Sequence, residues 1–575
     1  MTFSRASGDN ADRTLLVPSH EGPHVLPNSP FWGKLLRHAR RNRTAIRDVD
    51  LGVSKTYGQA LSDALSLRAV IARSLPRSIL DDIARGEEVY IGVLAAGGYE
   101  FTVAVLAILA LGAAFVPMSV SVPVNEAAYF VTKCRQRLIL VSSEVAPLGQ
   151  AIQKHLSRDQ DIAILEILPN IPKKTAYTPT DISISSNPPI DESRAGLVIF
   201  TSGTTGRPKG AVMRHSYVHE AAIAIGEGYD VDHNDVVLHV LPVHHTTGLA
   251  TSFFVYLNAG GCIEFKRGNL DTAWVWDRWR QGGLTVFSAV PTILLRLQWH
   301  FEQKIRSTPE EAAYIQAANQ FRAFMCGSSA LQQQVQEFWT DIRQGRPILT
   351  RYGATEYPGC LKVPAELGAA VPKGCVGLPV PGVELKLSDG DDGELLVKSP
   401  NMFAKYLFDP EATAEAHDEA GYFKTGDICR RENGYYYIIG RASVDIIKSG
   451  GYKISAIEIE RACLDLPYIS EAAVVGVEDE EFGQRVGAII SLTAGSSPLS
   501  IQNFRSDLRR ELAPYKLPTL LRTVDGELPK GGTGKVQKKI LGPKLFPKNW
   551  AEIAEVQCYR PERRSKASGQ LTAKL

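Results

Sequence analysis

The chain has 575 residues, 44% of them hydrophobic and 22% charged, enough apolar material for more than one globular core. Its 64 Lys and Arg nearly balance 62 Asp and Glu, and no long single-sign run occurs apart from a modestly basic C-terminal tail, which argues against a nucleic-acid partner. The eight cysteines are scattered, with no CxxC pair or dense cluster, so the pattern predicts reduced, buried thiols in an intracellular protein rather than a disulfide scaffold or zinc ribbon.

Residues 1–29 read as a solvated leader without the features of a secretory signal. Short Val/Ile-rich runs then alternate with Ala/Leu-rich helical patterns (VYIGVLAAGG, the run from Phe101, LILVSSEV), and that alternation predicts parallel strands covered by helices, an α/β fold. The run Phe101 to Val124 is apolar for a membrane-spanning length. Gly112 and Pro117 divide it, and no Lys or Arg brackets it, so a buried helix leading into a buried strand is expected instead of an integral membrane segment. The polar stretch Ile182 to Ser193 predicts a surface connection into the strand GLVIFTSG. After Pro379, short alternating runs separated by turn residues predict a β-rich subdomain. From about Gly440 a helix, two strands and a further helix predict a small α+β unit. The expected division is an N-terminal domain over 30–440, a C-terminal domain over 441–545 with its hinge near Ala442 and Ser443, and a basic tail over 546–575.

Directly after the apolar strand Leu197 to Phe200 come Thr201, Ser202, Gly203, Thr204, Thr205, Gly206, Arg207, Pro208, Lys209 and Gly210. Glycines let backbone N–H groups point at phosphate oxygens, hydroxyls add donors, and Lys209 adds a mobile cation, a combination suited to a polyphosphate. The same residues also make an ordinary polar loop. A Walker A loop is excluded, because the Gly534-Lys535 step is followed by Val536.

Phe200 to Gly210 resembles the YTSGTTGxPKG signature of the adenylate-forming superfamily of acyl-CoA synthetases, luciferases and peptide-synthetase adenylation domains, and further elements of that pattern follow in order from about Thr44 to Leu541. The resemblance implies ATP, magnesium and coenzyme A as partners of a small carboxylic acid. It also implies a large N-terminal domain of two α/β subdomains plus the β-rich one, with a mobile C-terminal domain. The segment Arg351-Tyr352-Gly353-Ala354-Thr355-Glu356 resembles the adenine-side motif, so Tyr352 inherits stacking on the base and Glu356 the magnesium side; the protein supplies no other metal ligand. In YFKTGD, Asp427 inherits the ribose hydroxyls. Gly440 to Lys453 resembles the hinge and the loop after it, giving Arg441 a nucleotide contact and Lys448, Gly450 and Gly451 the CoA side. In LPKGGTGK, Lys535 inherits the role of catalytic lysine, which stabilises charge building on the α-phosphate.

Leu241 to Gly248 (LPVHHTTG) resembles the substrate-side motif, making His245 a gate between acyl and thiol channels, although a His pair elsewhere is usually structural. Within the superfamily the chain looks most like malonyl-CoA synthetases, through LHVLPVHH, AVPTI, the Gly-Ser start of GSSAL that holds Ser328, and GRASVDIIKSGGYKISAIEIE. A dicarboxylate needs a cation for its distal carboxylate, and Arg351 or Arg296 fits, though either equally serves a structural ion pair. Thr247 and Ala354 depart from the malonyl-type pattern, and one methylene discriminates by only about 1 to 3 kcal/mol, so chain length is left open. The expected reaction is ATP-dependent formation of an acyl-AMP and pyrophosphate, then of an acyl-CoA, with malonate or a related short acid as lead substrate. Rival readings are a medium-chain, fatty or aryl acyl-CoA ligase, an adenylation enzyme loading a carrier protein, and a non-catalytic nucleotide-binding protein. The last conflicts with the presence of Lys535 and Glu356. The C-terminal tripeptide Ala573-Lys574-Leu575 is a conservative form of a peroxisomal address, so a cytoplasmic or peroxisomal location is expected.

Overall fold

The computed structural model describes residues 22–157, 160–201, 207–449, 452–480, 482–530 and 536–559. Its architecture is α/β, as the alternating pattern predicts. Among the described residues, two large sheets form the body, each with a parallel centre. In the first, Tyr90–Leu94, Ala114–Met118, Leu138–Val141 and Ala163–Glu166 run parallel. The strand Ala195–Thr201 joins them in parallel and then turns back into Lys209–Arg214. In the second, Thr44–Asp48, Cys262–Phe265, Val236–His239, Val286–Ala289, Ala323–Cys326 and Leu349–Tyr352 are parallel.

The apolar run from Phe101 is buried along its whole helical part, Tyr99–Leu111, between the sheets. Gly112 ends that helix at φ 87°, a left-handed conformation that spares a side chain strain. Pro117 does not break the chain: it sits within the strand Ala114–Met118, in register with Val93. Among the described residues no helix is long and apolar enough to cross a membrane.

The β-rich region is an antiparallel sheet of Glu384–Asp389, Asp392–Lys398, Phe423–Glu432 and Tyr435–Arg441. The chain leaves it through a turn at 442–445 into the C-terminal unit. There the hairpin Ile469–Asp479 and Gly483–Leu492 packs under the helices Ala456–Leu464 and Ile501–Leu508 around a separate apolar core. All eight cysteines are free thiols, seven of them buried, consistent with a core free of disulfides.

Candidate active site

A cleft of about 2450 Å³ opens between the body and the C-terminal unit. Its walls include Thr201 and Lys209 from the first sheet, His245 and Thr247 from the substrate-side motif, Arg351 to Glu356, Asp427 and Arg441, with Lys530 and Lys538 from the C-terminal unit. Thr201 and Arg351 reach this volume at the ends of parallel strands, and Lys530 and Lys538 reach it from the C-terminal unit.

At one end lies the hairpin that carries the glycine-rich run. Thr201 pairs with Lys209, and the Thr201 hydroxyl donates to the Lys209 carbonyl at 3.3 Å. The expected ligands Ser202, Gly203, Thr204, Thr205 and Gly206 lie outside the described residues. Lys209 Nζ sits 5.0 Å above the Tyr406 ring, and the Tyr406 hydroxyl donates to Glu356 Oε1 at 2.8 Å. Burial, then the Glu356 charge, raises the Tyr406 phenol far above its ordinary pKa, so it remains the donor. Tyr406 therefore joins the hairpin lysine to the motif glutamate, and sequence reading missed it. It comes from a short edge strand whose register places Tyr406 opposite Ala211, and no local pattern announces that pairing.

Beside it, the Tyr352 hydroxyl donates to Asp427 Oδ2 at 2.6 Å and shares a 3.0 Å bond with the Tyr357 hydroxyl. Burial, then Tyr357 and Asp427, holds Tyr352 protonated. Arg441 Nε approaches the other Asp427 oxygen to 3.7 Å. Strand pairing sets Asp427 opposite Arg441. Gly353 is compelled by packing, because a Cβ there would meet the Gly359 nitrogen at 2.3 Å. Thr355 lines the cleft beside it.

At the other end, Arg351 is only 9% exposed. Its Nη2 donates to Thr251 Oγ1 and Ser288 Oγ, both at 2.8 Å, and its Nη1 lies 3.8 Å from Met325 Sδ. These partners are neutral, and among the described residues no carboxylate ion-pairs with this guanidinium. Gly327 makes room for it, since a Cβ would meet Arg351 Cγ at 3.0 Å. Next to it Ser328 holds φ 74°, a strained value for a non-glycine residue, and its hydroxyl meets that of Thr247 at 2.7 Å. Thr247 is thus tied to Ser328 in the cleft wall. His245 caps the helix Thr246–Ser252, with the His244 ring 4.3 Å away; burial, reinforced by His245, keeps His244 neutral.

Two expected positions lie apart from this wall. Arg296 is 42% exposed and pairs with Glu527 of the C-terminal unit at 3.2 Å, outside the cleft lining. Lys448 is exposed, also outside the lining, while its backbone N–H donates to Gln484. Lys535, Gly450, Gly451 and the tail tripeptide Ala573-Lys574-Leu575 lie outside the described residues. The ends of the segment that holds Lys535 are bridged, Lys530 to Val536.

Two parallel α/β sheets, an antiparallel third and a small α+β unit around one cleft define an AMP-binding enzyme. The chain belongs to that family: the AMP-binding enzyme domain matches residues 36–407 and the AMP-binding enzyme C-terminal domain residues 458–535. It is 33% identical over 537 residues to a malonate–CoA ligase of Arabidopsis thaliana, covering 86% of this chain and 85% of that one. It is 31% identical over 591 residues to the mitochondrial malonate–CoA ligase of Homo sapiens, covering 94% of this chain and 98% of that one. Among solved structures, ATP-bound MatB from Rhodopseudomonas palustris superposes with a TM-score of 0.76 at 26% identity, over 90% of this chain and 99% of that one.

Proposed function

We propose that the protein is an AMP-forming acid–thiol ligase that activates malonate, or a short dicarboxylate like it, and passes the acyl group to coenzyme A. The observation that carries the choice of acid is the buried Arg351 guanidinium with neutral neighbours only. A buried cation is costly without a counter-ion, and a planar fork of N–H donors matches a carboxylate. A dicarboxylate supplies that anion with one end while the other end stays free to react. The malonate–CoA ligases among the relatives support the same reading.

In this reading the acid binds with its distal carboxylate on Arg351 and its reactive carboxylate toward the α-phosphate of ATP. Tyr352 packs the adenine, Asp427 takes the ribose hydroxyls, and Arg441 steadies Asp427 from the hinge. Lys209 and the hairpin hold the phosphates. Glu356 fits magnesium, since one carboxylate oxygen takes the Tyr406 hydroxyl and the other makes no hydrogen bond among the described residues. That ion would neutralise phosphate charge. Carboxylate attack releases pyrophosphate, with Lys535 countering the charge on the phosphoryl oxygens. The C-terminal unit then turns about 442–445, and the CoA thiol attacks the acyl carbonyl and expels AMP past His245.

The test is pyrophosphate release from ATP and magnesium with malonate, methylmalonate, acetate, octanoate and benzoate, with and without CoA. Malonate-selective turnover accelerated by CoA is the expected outcome. Preference for a monocarboxylate would discard the dicarboxylate assignment, and turnover insensitive to CoA would discard CoA as acceptor.

A further inference from the structure

Away from the cleft, Glu192, His219 and Glu220 each bring one ligand-type atom within 4.8 Å of the others. Glu192 lies on the connection just before the strand Ala195–Thr201, and His219 stands at the start of the helix Glu220–Glu227. Backbone bonds already draw the two segments together, Ser216 N–H to the Glu192 carbonyl at 3.0 Å and His215 N–H to the Arg194 carbonyl at 2.7 Å.

The unusual member is His219. Its side chain is only 6% exposed, yet neither ring nitrogen makes a hydrogen bond among the described residues. Its Nε2 faces Glu192 Oε2 at 3.6 Å, beyond a hydrogen bond. No Lys or Arg of the described residues ion-pairs with either glutamate. A buried imidazole aimed at a half-buried carboxylate, with a second carboxylate alongside and no hydrogen bond among the three, gathers three ligand-type atoms around one point.

We infer that Glu192, His219 and Glu220 form a divalent-cation site of the zinc type, separate from the magnesium that accompanies ATP. One imidazole nitrogen with two carboxylate oxygens suits Zn²⁺, whereas magnesium prefers oxygen alone. Ligand distances of about 2.0–2.2 Å require Glu220, whose side chain is exposed, to swing inward. The fourth position stays open to water. The site clamps the root of the glycine-rich hairpin to the helix Glu220–Glu227, which packs against the helix Thr246–Ser252 of the acyl side.

The experiment uses the full-length protein in excess Mg²⁺, with Zn²⁺ as probe. Metal content after desalting and the thermal midpoint with added ZnCl₂ are read for the wild type, Glu192→Gln, His219→Ala and Glu220→Ala. The wild type is expected to retain about one zinc per chain and to melt higher with zinc. All three variants are expected to bind at least about tenfold more weakly. Glu220→Ala is the decisive variant, because it alters an exposed side chain and leaves the fold intact. A wild type that takes up no zinc at micromolar concentration, or a Glu220→Ala protein that binds it equally well, would overturn the site.

Discussion

At the nucleotide end of the cleft, the two carboxylates are tethered by phenols, Glu356 by Tyr406 and Asp427 by Tyr352, and Arg441 stands across from Asp427. At the acyl end, Arg351 is buried and leans on the hydroxyls of Thr251 and Ser288. The first arrangement is preorganised: donors already hold the carboxylates that the proposed reading assigns to the nucleotide and its magnesium. The second leaves a charge to be balanced by whatever enters. General chemistry thus sits on mutually satisfied groups, and selectivity on an unbalanced one.

The largest effect expected on this contrast comes from Lys535→Ala, which removes the cation assigned to the phosphoryl oxygens. Pyrophosphate exchange should fall about 10²- to 10³-fold, the cost of one transition-state donor, while CoA thioester formation from preformed malonyl-AMP stays near wild type. Equal loss in both half-reactions would move Lys535 from adenylation to general folding of the C-terminal unit.

Arg351→Met comes next. Leaving one partner of a desolvated charge pair alone costs about 2–5 kcal/mol, so kcat/KM for malonate should drop by about 30- to 5,000-fold. Turnover of acetate and the KM for ATP should barely change. If malonate and acetate suffer together, the guanidinium belongs to the scaffold of the adenine motif, and the contrast between the two ends fails.

Much of the nucleotide end was legible because its residues sit in contiguous runs whose chemistry is local: hydroxyls, glycines and Lys209, or Tyr352 beside Glu356. Tyr406 was illegible, since it reaches Glu356, 50 residues away, only through the edge-strand register that sets Tyr406 opposite Ala211. For Arg351 and Arg296 the sequence offered two equal guanidinium groups. Burial separates them: one is enclosed by a parallel strand edge, and the other is drawn out to Glu527. The expected buried helix leading into a buried strand is present, the helix ending at Gly112 and Pro117 lying inside the strand Ala114–Met118. The helix and strand texture, by contrast, follows directly from hydrophobic period and was readable throughout.

The smallest effect concerns acid. His239 is buried beneath the acyl-side motif, with its Nε2 3.0 Å from the Gly248 carbonyl, and burial brings its pKa down to about 4. His215, following the hairpin, is likewise held at about 4 by burial and then by Arg194. Both lie below the unfolded value of about 6.5, so the unfolded chain binds protons first, and stability is lost as pH falls below about 6.5. Each should cost about 2 kcal/mol by pH 5. The antiparallel strands Phe423–Glu432 and Tyr435–Arg441 carry no histidine, so the loss should be smaller there. Between pH 8 and pH 5, hydrogen-exchange protection, taken relative to the intrinsic rate at each pH, is expected to fall in Val236–His239 and Thr246–Ser252 well before Phe423–Glu432 and Tyr435–Arg441. His239→Gln should flatten that acid response, because glutamine keeps a polar contact without taking up a proton. A uniform loss of protection in all four segments would mean that acid acts on the molecule as a whole, and that the two ends differ in charge balance but not in local stability.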